Sequence, residues 1–274
     1  GLRNLSDSLP VTEKTLFRVA SISKTVTATA VMQLVEKGAI NIDVDINYYL
    51  KKGIRNKYFP DNIITPRMLL SHTSSVYDGP DYENFLARMY NSEFVPPVSE
   101  LLSEESSIWI NKKPGTFFTY CNLNYGILAT IIENVSGERF DKYVEKYILK
   151  PLSISGGYNV SRIKERSQIS VLYREAVPQA ENYKNSYPIG INGLYYSPQG
   201  GLRISVSDLA KILQMFMNKG IYKGIQILHS NTVEEMEKIH WKNNGSNGDT
   251  NHSQFLCWGS WASKKPHKQR TEIS

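Results

Sequence analysis

The stretch FRVASISKTVTATAVMQLVEKG, residues 17–38, constrains the fold more than any other. It opens like a strand and continues as a helix: Val26, Ala30, Leu34 and Val35 recur near helical spacing, and Gly38 supplies a left-handed stop. If the helix begins near Ser21, Lys24 lies three residues on and shares its face. A serine hydroxyl is a poor nucleophile until a neighbouring base takes its proton. Lysine is such a base when burial and nearby cations lower its pKa. The N–H groups at a helix N-terminus also suit an oxyanion forming beside the serine. Ser21 and Ser23 are equally acceptable N-caps, and Ser161 and Lys164 repeat the spacing, so spacing alone leaves nucleophile and cap both open. Context separates the copies, because Ser161 follows an irregular stretch and begins no amphipathic helix.

Further along, ITPRMLLSHTSSV reads as a brief helix with Pro66 in its first turn, and residues 81–110 as short helices and loops. NLNYGILATIIENVSG, closed by Gly137, is a second strong helix, and ERFDKYVEKYILKP a third that Pro151 ends. Residues 153–201 lack sustained periodicity and read as a loop-rich wall. SVSDLAKILQMFMNKG is a fourth helix, with Ser205 as its cap and Leu209, Ile212, Leu213 and Phe216 on its apolar face. Strand signals are confined to 17–20, a hairpin-like 221–229 and 255–261. No repeat or linker divides the chain, which is read as a single domain over 1–274.

Composition narrows the function classes. The chain is 41% hydrophobic and 21% charged, the balance of a soluble globular protein, and no apolar run reaches the roughly 18 residues that a membrane-spanning helix needs. Its formal charge of +6 is spread out and lacks the aromatic interleaving of a nucleic-acid groove, so no nucleic-acid partner is expected, although a positive field favours a carboxylate-bearing substrate. The two cysteines, Cys121 and Cys257, have no zinc spacing, and the five histidines are scattered. No metal is expected.

FRVASISKTVTA resembles the nucleophile motif of the serine β-lactamase and penicillin-binding protein superfamily, in particular its class C-like branch of β-lactamases, D-alanyl-D-alanine carboxypeptidases and esterases. LLSHTS at 69–74 resembles a turn of that family, with Ser75 where glycine is expected. PGTFFTYCNLNYG at 114–126 resembles the segment carrying its Y-x-N motif, here Tyr120 and Asn122, and GGLRISVSDLAKIL at 200–213 resembles its late helix entry. Tyr82 with Asn84 and Tyr183 with Asn185 also fit Y-x-N, so the flanking PGT and NYG single out Tyr120.

The resemblance implies an α+β fold of the β-lactamase/transpeptidase type, a helical region on an antiparallel sheet only partly present in this chain. It further implies catalysis by Ser21, Lys24 and Tyr120. Ser21 would be acylated, Lys24 would take its proton, and Tyr120 would pass a proton to the leaving group. Asn122 would bind Lys24 and the substrate amide, and the backbone N–H of Ser21 would form half of the oxyanion hole. No cofactor is implied, the substrate is a small peptide, ester or β-lactam, and an extracytoplasmic location is favoured. Cys121 is expected to pack rather than react. The family's third motif, K-T-G or H-x-G, is not found: 252–254 and 267–269 have the histidine without the glycine, and 264–266 is not K-T-G. The chain is therefore expected to lack its N-terminal strands and third-motif strand, and a catalytically inactive homologue serving as a binding or assembly protein is the alternative.

Overall fold

The computed structural model describes residues 1–174, 177–178 and 187–249, with the backbone of 254–257 and 260–262. Its helices are α1 (Ser23–Glu36), α2 (Ile46–Leu50), α3 (Pro66–Leu70), α4 (Pro80–Asn91), α5 (Leu123–Ser136), α6 (Phe140–Val144), α7 (Val206–Met217) and α8 (Ser230–Glu237). The strands are β1 (Leu2–Asn4), β2 (Leu9–Pro10), β3 (Phe17–Arg18), β4 (Gly156–Gly157), β5 (Tyr173–Arg174), β6 (Val177–Pro178), β7 (Arg203–Ile204), β8 (Ile221–Tyr222), β9 (Ile225–Gln226), β10 (Trp241–Lys242), β11 (Gln254–Cys257) and β12 (Ser260–Ala262). All the pairings among them are antiparallel, in two-stranded sheets β1–β2, β5–β6 and β8–β9 and three-stranded sheets β3–β7–β4 and β10–β11–β12. The fold is α+β, with helices dominant and sheets small.

Helices α1 and α5 are buried almost all round, which is the pattern of helices inside a core rather than on its surface. They pack on each other, and α5 also meets α2, α3, α6 and the short 3-10 turn Gly193–Tyr196. That last contact is very close: a Cβ on Gly193 would lie 2.4 Å from the backbone of Ala129 and Thr130, so only glycine fits. Both helices stop on left-handed glycines, Gly38 (φ +69°) just beyond α1 and Gly137 (φ +68°) as the C-cap of α5. Within α5, buried Glu133 accepts from the N–H groups of Phe140 (2.9 Å) and Gly190 (2.8 Å) and from the Tyr187 hydroxyl, pinning two loops to the central helix.

The expected helices are present, with two revisions. The third passes from α6 into one π-helical turn, Glu145–Leu149, and the 81–110 region holds a twelve-residue helix, α4, whose Tyr82, Phe85 and Met89 form its buried side. Helix α8 is an addition that the sequence reading did not include. The 221–229 segment is a hairpin, turning on Lys223 (φ +47°) and Gly224 (φ +80°), a pair of positive φ values typical of a type I′ turn. The β11–β12 hairpin overlaps the expected 255–261 strand region, whereas 252–253 and 264–269, where the third motif was sought, lie outside the described residues.

Candidate active site

Neither Ser21 nor Ser23 caps α1. The helix begins after Ile22 without a side-chain cap, and Ser21 sits one turn earlier in the 3-10 segment Ala20–Ile22. Ser23 turns inward, where its Oγ accepts from the N–H of Leu202 at 3.1 Å. Ser21 is exposed, and its Oγ receives the Tyr120 hydroxyl at 2.7 Å and lies 3.2 Å from Lys24 Nζ. The preceding Ala20 is held at φ +45°, a conformation that costs an L-residue about 1–2 kcal/mol. The β3–β7 pairing holds this turn in place, with Phe17 opposite Ile204 and Arg18 opposite Arg203. It is reinforced by Val19 N–H to Leu202 O (3.0 Å) and Arg18 Nε to Gly200 O (2.9 Å). In the first turn of a 3-10 helix the N–H of Ser21 has no carbonyl beneath it to pair with.

Lys24 is fully buried, yet its Nζ has three oxygen neighbours: Ser21 Oγ, Asn122 Oδ1 at 2.8 Å and the carbonyl of Gln199 at 2.8 Å. A neutral amine has two N–H bonds and one lone pair. The two carbonyl oxygens take the N–H bonds and leave the lone pair facing the serine. Burial pulls Lys24 down to about 8, against the opposing pull of the Asp78 charge. The amine is therefore half neutral at about pH 8, far below the pH at which an ordinary lysine becomes a base.

Tyr120 reaches Ser21 from the segment that leads into α5. Its neighbours are fixed by the 71–75 turn, where Thr119 N–H donates to His72 O (2.9 Å) and Cys121 N–H to His72 Nδ1 (3.1 Å). Its ring lies against the His72 ring at 4.6 Å between centroids, and Lys24 Nζ stands 4.8 Å from its own ring centre. Burial raises the Tyr120 pKa, so at neutral pH it is a phenol and donates to Ser21. His72 is buried and held well below the usual imidazole range, hence neutral, with Nδ1 as acceptor. Both His72 (φ +57°) and Ser75 (φ +66°) are left-handed, which explains why glycine is expected at position 75.

Asp78, like His72 and the Gln199 carbonyl, is a contributor that sequence reasoning missed. Its carboxylate accepts from Cys121 Sγ (3.3 Å), Asn122 N–H (2.9 Å), Asn122 Nδ2 (2.8 Å) and Leu123 N–H (3.0 Å). A single acid in SSVYDGP carries no periodic or motif signal. Only the turn that folds 71–78 back onto α5, through Ser74 Oγ to Asn124 Oδ1 (2.8 Å), reveals it. Cys121 and Asn122 both engage this carboxylate, so the strict alternation expected of an extended segment does not hold here. Burial and the Asp78 charge push the Cys121 thiol well up, which disfavours the thiolate needed for attack.

Gly201 and Gly200 differ. A Cβ on Gly201 would come within 2.8 Å of Ser197 Cβ and Tyr196 O, so glycine lets the chain double back and present the Gln199 carbonyl to Lys24. At Gly200 a Cβ would meet Ala20 only at ordinary contact distance, 3.7 Å. The second S-x-x-K is not a site of this kind: Lys164 is exposed on a loop after the 3-10 turn Val160–Arg162. A cleft of about 270 Å³ opens beside Ser21, lined by Arg18, Tyr82, Glu83, Leu86, Asn122 and Gln199. A larger cavity, about 350 Å³, is walled by Glu145, Lys150 and Arg162 among others and includes none of Ser21, Lys24, Tyr120 or Asn122. Among the described residues no three His, Cys, Asp or Glu side chains gather as a metal cluster, and no helix is long and apolar enough to cross a membrane.

A sequence profile of the family described as Beta-lactamase matches residues 1–268. The chain belongs to the beta-lactamase family. Within that family it is 31% identical over 209 residues to the putative penicillin-binding protein PbpX of Bacillus subtilis, covering 76% of this chain and 48% of PbpX. It is 26% identical over 155 residues to Protein flp of Staphylococcus aureus, covering 57% of this chain and 30% of flp. The matches thus span a third to a half of these curated relatives. Among solved structures, the octameric penicillin-binding protein homologue from Pyrococcus abyssi superposes with a TM-score of 0.71 at 27% identity, over 94% of this chain and 56% of that one. The beta-lactamase-family fold accounts for the α+β architecture described above.

Proposed function

We propose that this chain is a serine acyl-enzyme hydrolase that cleaves an amide or ester through an acylated Ser21, of the carboxypeptidase or esterase kind rather than a resistance β-lactamase. The observation that carries the reading is the double contact at Ser21 Oγ, phenol at 2.7 Å and amine at 3.2 Å, with that amine fixed by Asn122 and Gln199. Two side chains, Lys24 three residues away and Tyr120 ninety-nine residues away, meet at one exposed hydroxyl. A helix cap needs neither of them.

In this reading Ser21 Oγ attacks the carbonyl carbon as its proton passes to Lys24 Nζ, and the Ser21 N–H faces the developing oxyanion. The bond to the leaving group then breaks as Tyr120 gives that group its proton. This leaves an acyl ester, a tyrosinate and a lysine ammonium. Water attacks the ester, its proton goes to Tyr120, and Lys24 returns a proton to the departing Ser21 oxygen. Every proton is restored, and no cofactor takes part. The cleft beside Ser21 is lined by Arg18 and Glu83, charges of opposite sign, and by Tyr82 and Leu86, a lining that suits an acyl group with a polar end.

The test is turnover of a panel containing a p-nitrophenyl ester, a peptide ending in D-alanyl-D-alanine and a penicillin, by the wild type and by Ser21→Ala. The wild type is expected to hydrolyse the ester or the peptide faster than the penicillin, and S21A to lose at least 10³-fold, on the order of the loss of a nucleophile. Turnover unchanged by S21A would sink the proposal. A wild type without turnover whose ligand binding survives S21A would favour the binding-protein alternative.

A further inference from the structure

We propose that Asp78 is a positioning residue of this site, whose carboxylate orients the Asn122 amide toward Lys24 and stands behind that amide as a fixed negative charge. The inference rests on the serine-hydrolase reading and deepens it. An asparagine amide has two ends of similar shape, and its neighbours decide which faces where. Here Nδ2 donates to Asp78 at 2.8 Å, which leaves Oδ1 for Lys24 Nζ at 2.8 Å. Flipping the amide would set an N–H donor against the ammonium and an oxygen against the carboxylate, losing both charge-assisted bonds at once. The same carboxylate accepts the N–H groups of Asn122 and Leu123, at the start of α5, so it fixes the backbone that carries Asn122 as well as its side chain.

The charge also reaches Lys24. The groups that face the buried amine are Ser21 one turn away, Tyr120, Cys121 and Asn122 from the approach to α5, Tyr125 within α5, His72 and Asp78 from the 71–78 turn, and the Gln199 carbonyl. Burial keeps Tyr120, Cys121 and His72 in their uncharged forms. Asp78 is the foremost group opposing burial at Lys24. Without it the amine would lose its proton at lower pH, and the amide that aims it would be free to turn. A carboxylate that merely capped α5 would do neither.

The experiment measures, on the full chain, the rate of Ser21 phosphonylation by a fluorophosphonate across a pH range bracketing the Lys24 midpoint of about 8. The Lys24 midpoint itself is followed in parallel by the 13C resonance of its ε-methylene. In Asp78→Asn the plateau rate is expected to fall roughly 10²-fold, the scale of a misaimed catalytic group. The acid limb and the Lys24 midpoint should move down together by about one pH unit. A D78N limb and midpoint superimposable on the wild type overturn the proposal, whatever the plateau does. If D78N does not fold by circular dichroism, Asp78→Glu carries the test. Its charge keeps the limb in place while its longer arm lowers the plateau; a displaced limb with a wild-type plateau counts against the assignment. If the wild type takes no probe at Ser21 at any pH, the hydrolase reading fails instead, and the Lys24 resonance alone decides on Asp78.

Discussion

At the scale of single residues, the pH behaviour of Lys24 is the most exposed consequence of the site. A base must be neutral to accept the serine proton, so acylation of Ser21 should rise with pH through about 8, the value to which burial brings Lys24, and level off above it. Lys24→Met should remove that limb and lower the rate by about 10²- to 10⁴-fold. Tyr120→Phe should depend on the leaving group. With an alkyl ester, which needs a proton to depart, it should lose roughly 10²-fold, and with a p-nitrophenyl ester much less. Parallel losses on both esters would argue against Tyr120 as the proton donor. Cys121, buried beside Asp78 with its thiol pushed up, should resist iodoacetamide in the native protein and react only on unfolding, as peptide mass mapping would report. Ser21, Lys24, Tyr120 and Asn122 were singled out in the sequence because the segments that carry them resemble the family's motifs, their spacing alone leaving the choice open. Asp78, His72 and the Gln199 carbonyl were not. Their contributions depend on a turn, a tautomer and a backbone oxygen, none of which leaves a pattern in the order of side chains.

At the scale of elements, helices were legible where apolar periodicity and caps agree, as in α1, α5 and α7, whose cap Ser205 accepts from Asp208 N–H at 3.1 Å. Helix α8 was missed because it is short and its apolar residues, Val233 and Met236, are few. Several turns adopt left-handed backbone without glycine, and Lys51, the exposed C-cap of α2 at φ +52°, is the simplest to test. Lys51→Gly should stabilise by about 1 kcal/mol, since it relieves a steric cost without disturbing a packed side chain. In a chain of this size that is a rise in melting temperature of about 2 °C. Gly193→Ala should do the opposite. Its new methyl would strike the α5 backbone, and the loss should exceed about 2 kcal/mol, read as a lower denaturant midpoint. A G193A midpoint equal to the wild type would mean that the α5 contact is looser than the structure has it.

At the scale of the whole molecule, the core is rich in tyrosine, and that sets how it responds to alkali. Tyr82, Tyr143 and Tyr158 are buried, and burial raises each above the ordinary phenol value of 10. Each therefore contributes stability that is fully present below pH 10 and is lost as the pH rises towards its folded value. Lys24 runs the other way: its depressed value disfavours the folded state below about 8, and that penalty fades towards 10.5. Unfolding midpoints should accordingly fall above pH 10, with tyrosinate absorbance appearing together with loss of helix. The α+β class was legible through the family resemblance of the motifs, since four strong helices and scarce strands alone describe a mostly helical chain. The pairing of β3 with β7, which joins residues 17–18 to 203–204, was not, because two-residue strands carry no alternation to read. That pairing is what presents Ser21 to the cleft. The most direct measurement of what the site does is mass mapping of the chain after reaction with a fluorophosphonate at pH 9, where Lys24 is largely neutral. The expected result is a single phosphonyl adduct on the peptide containing Ser21, absent from S21A. An adduct on another residue, or an unmodified Ser21, would contradict the account.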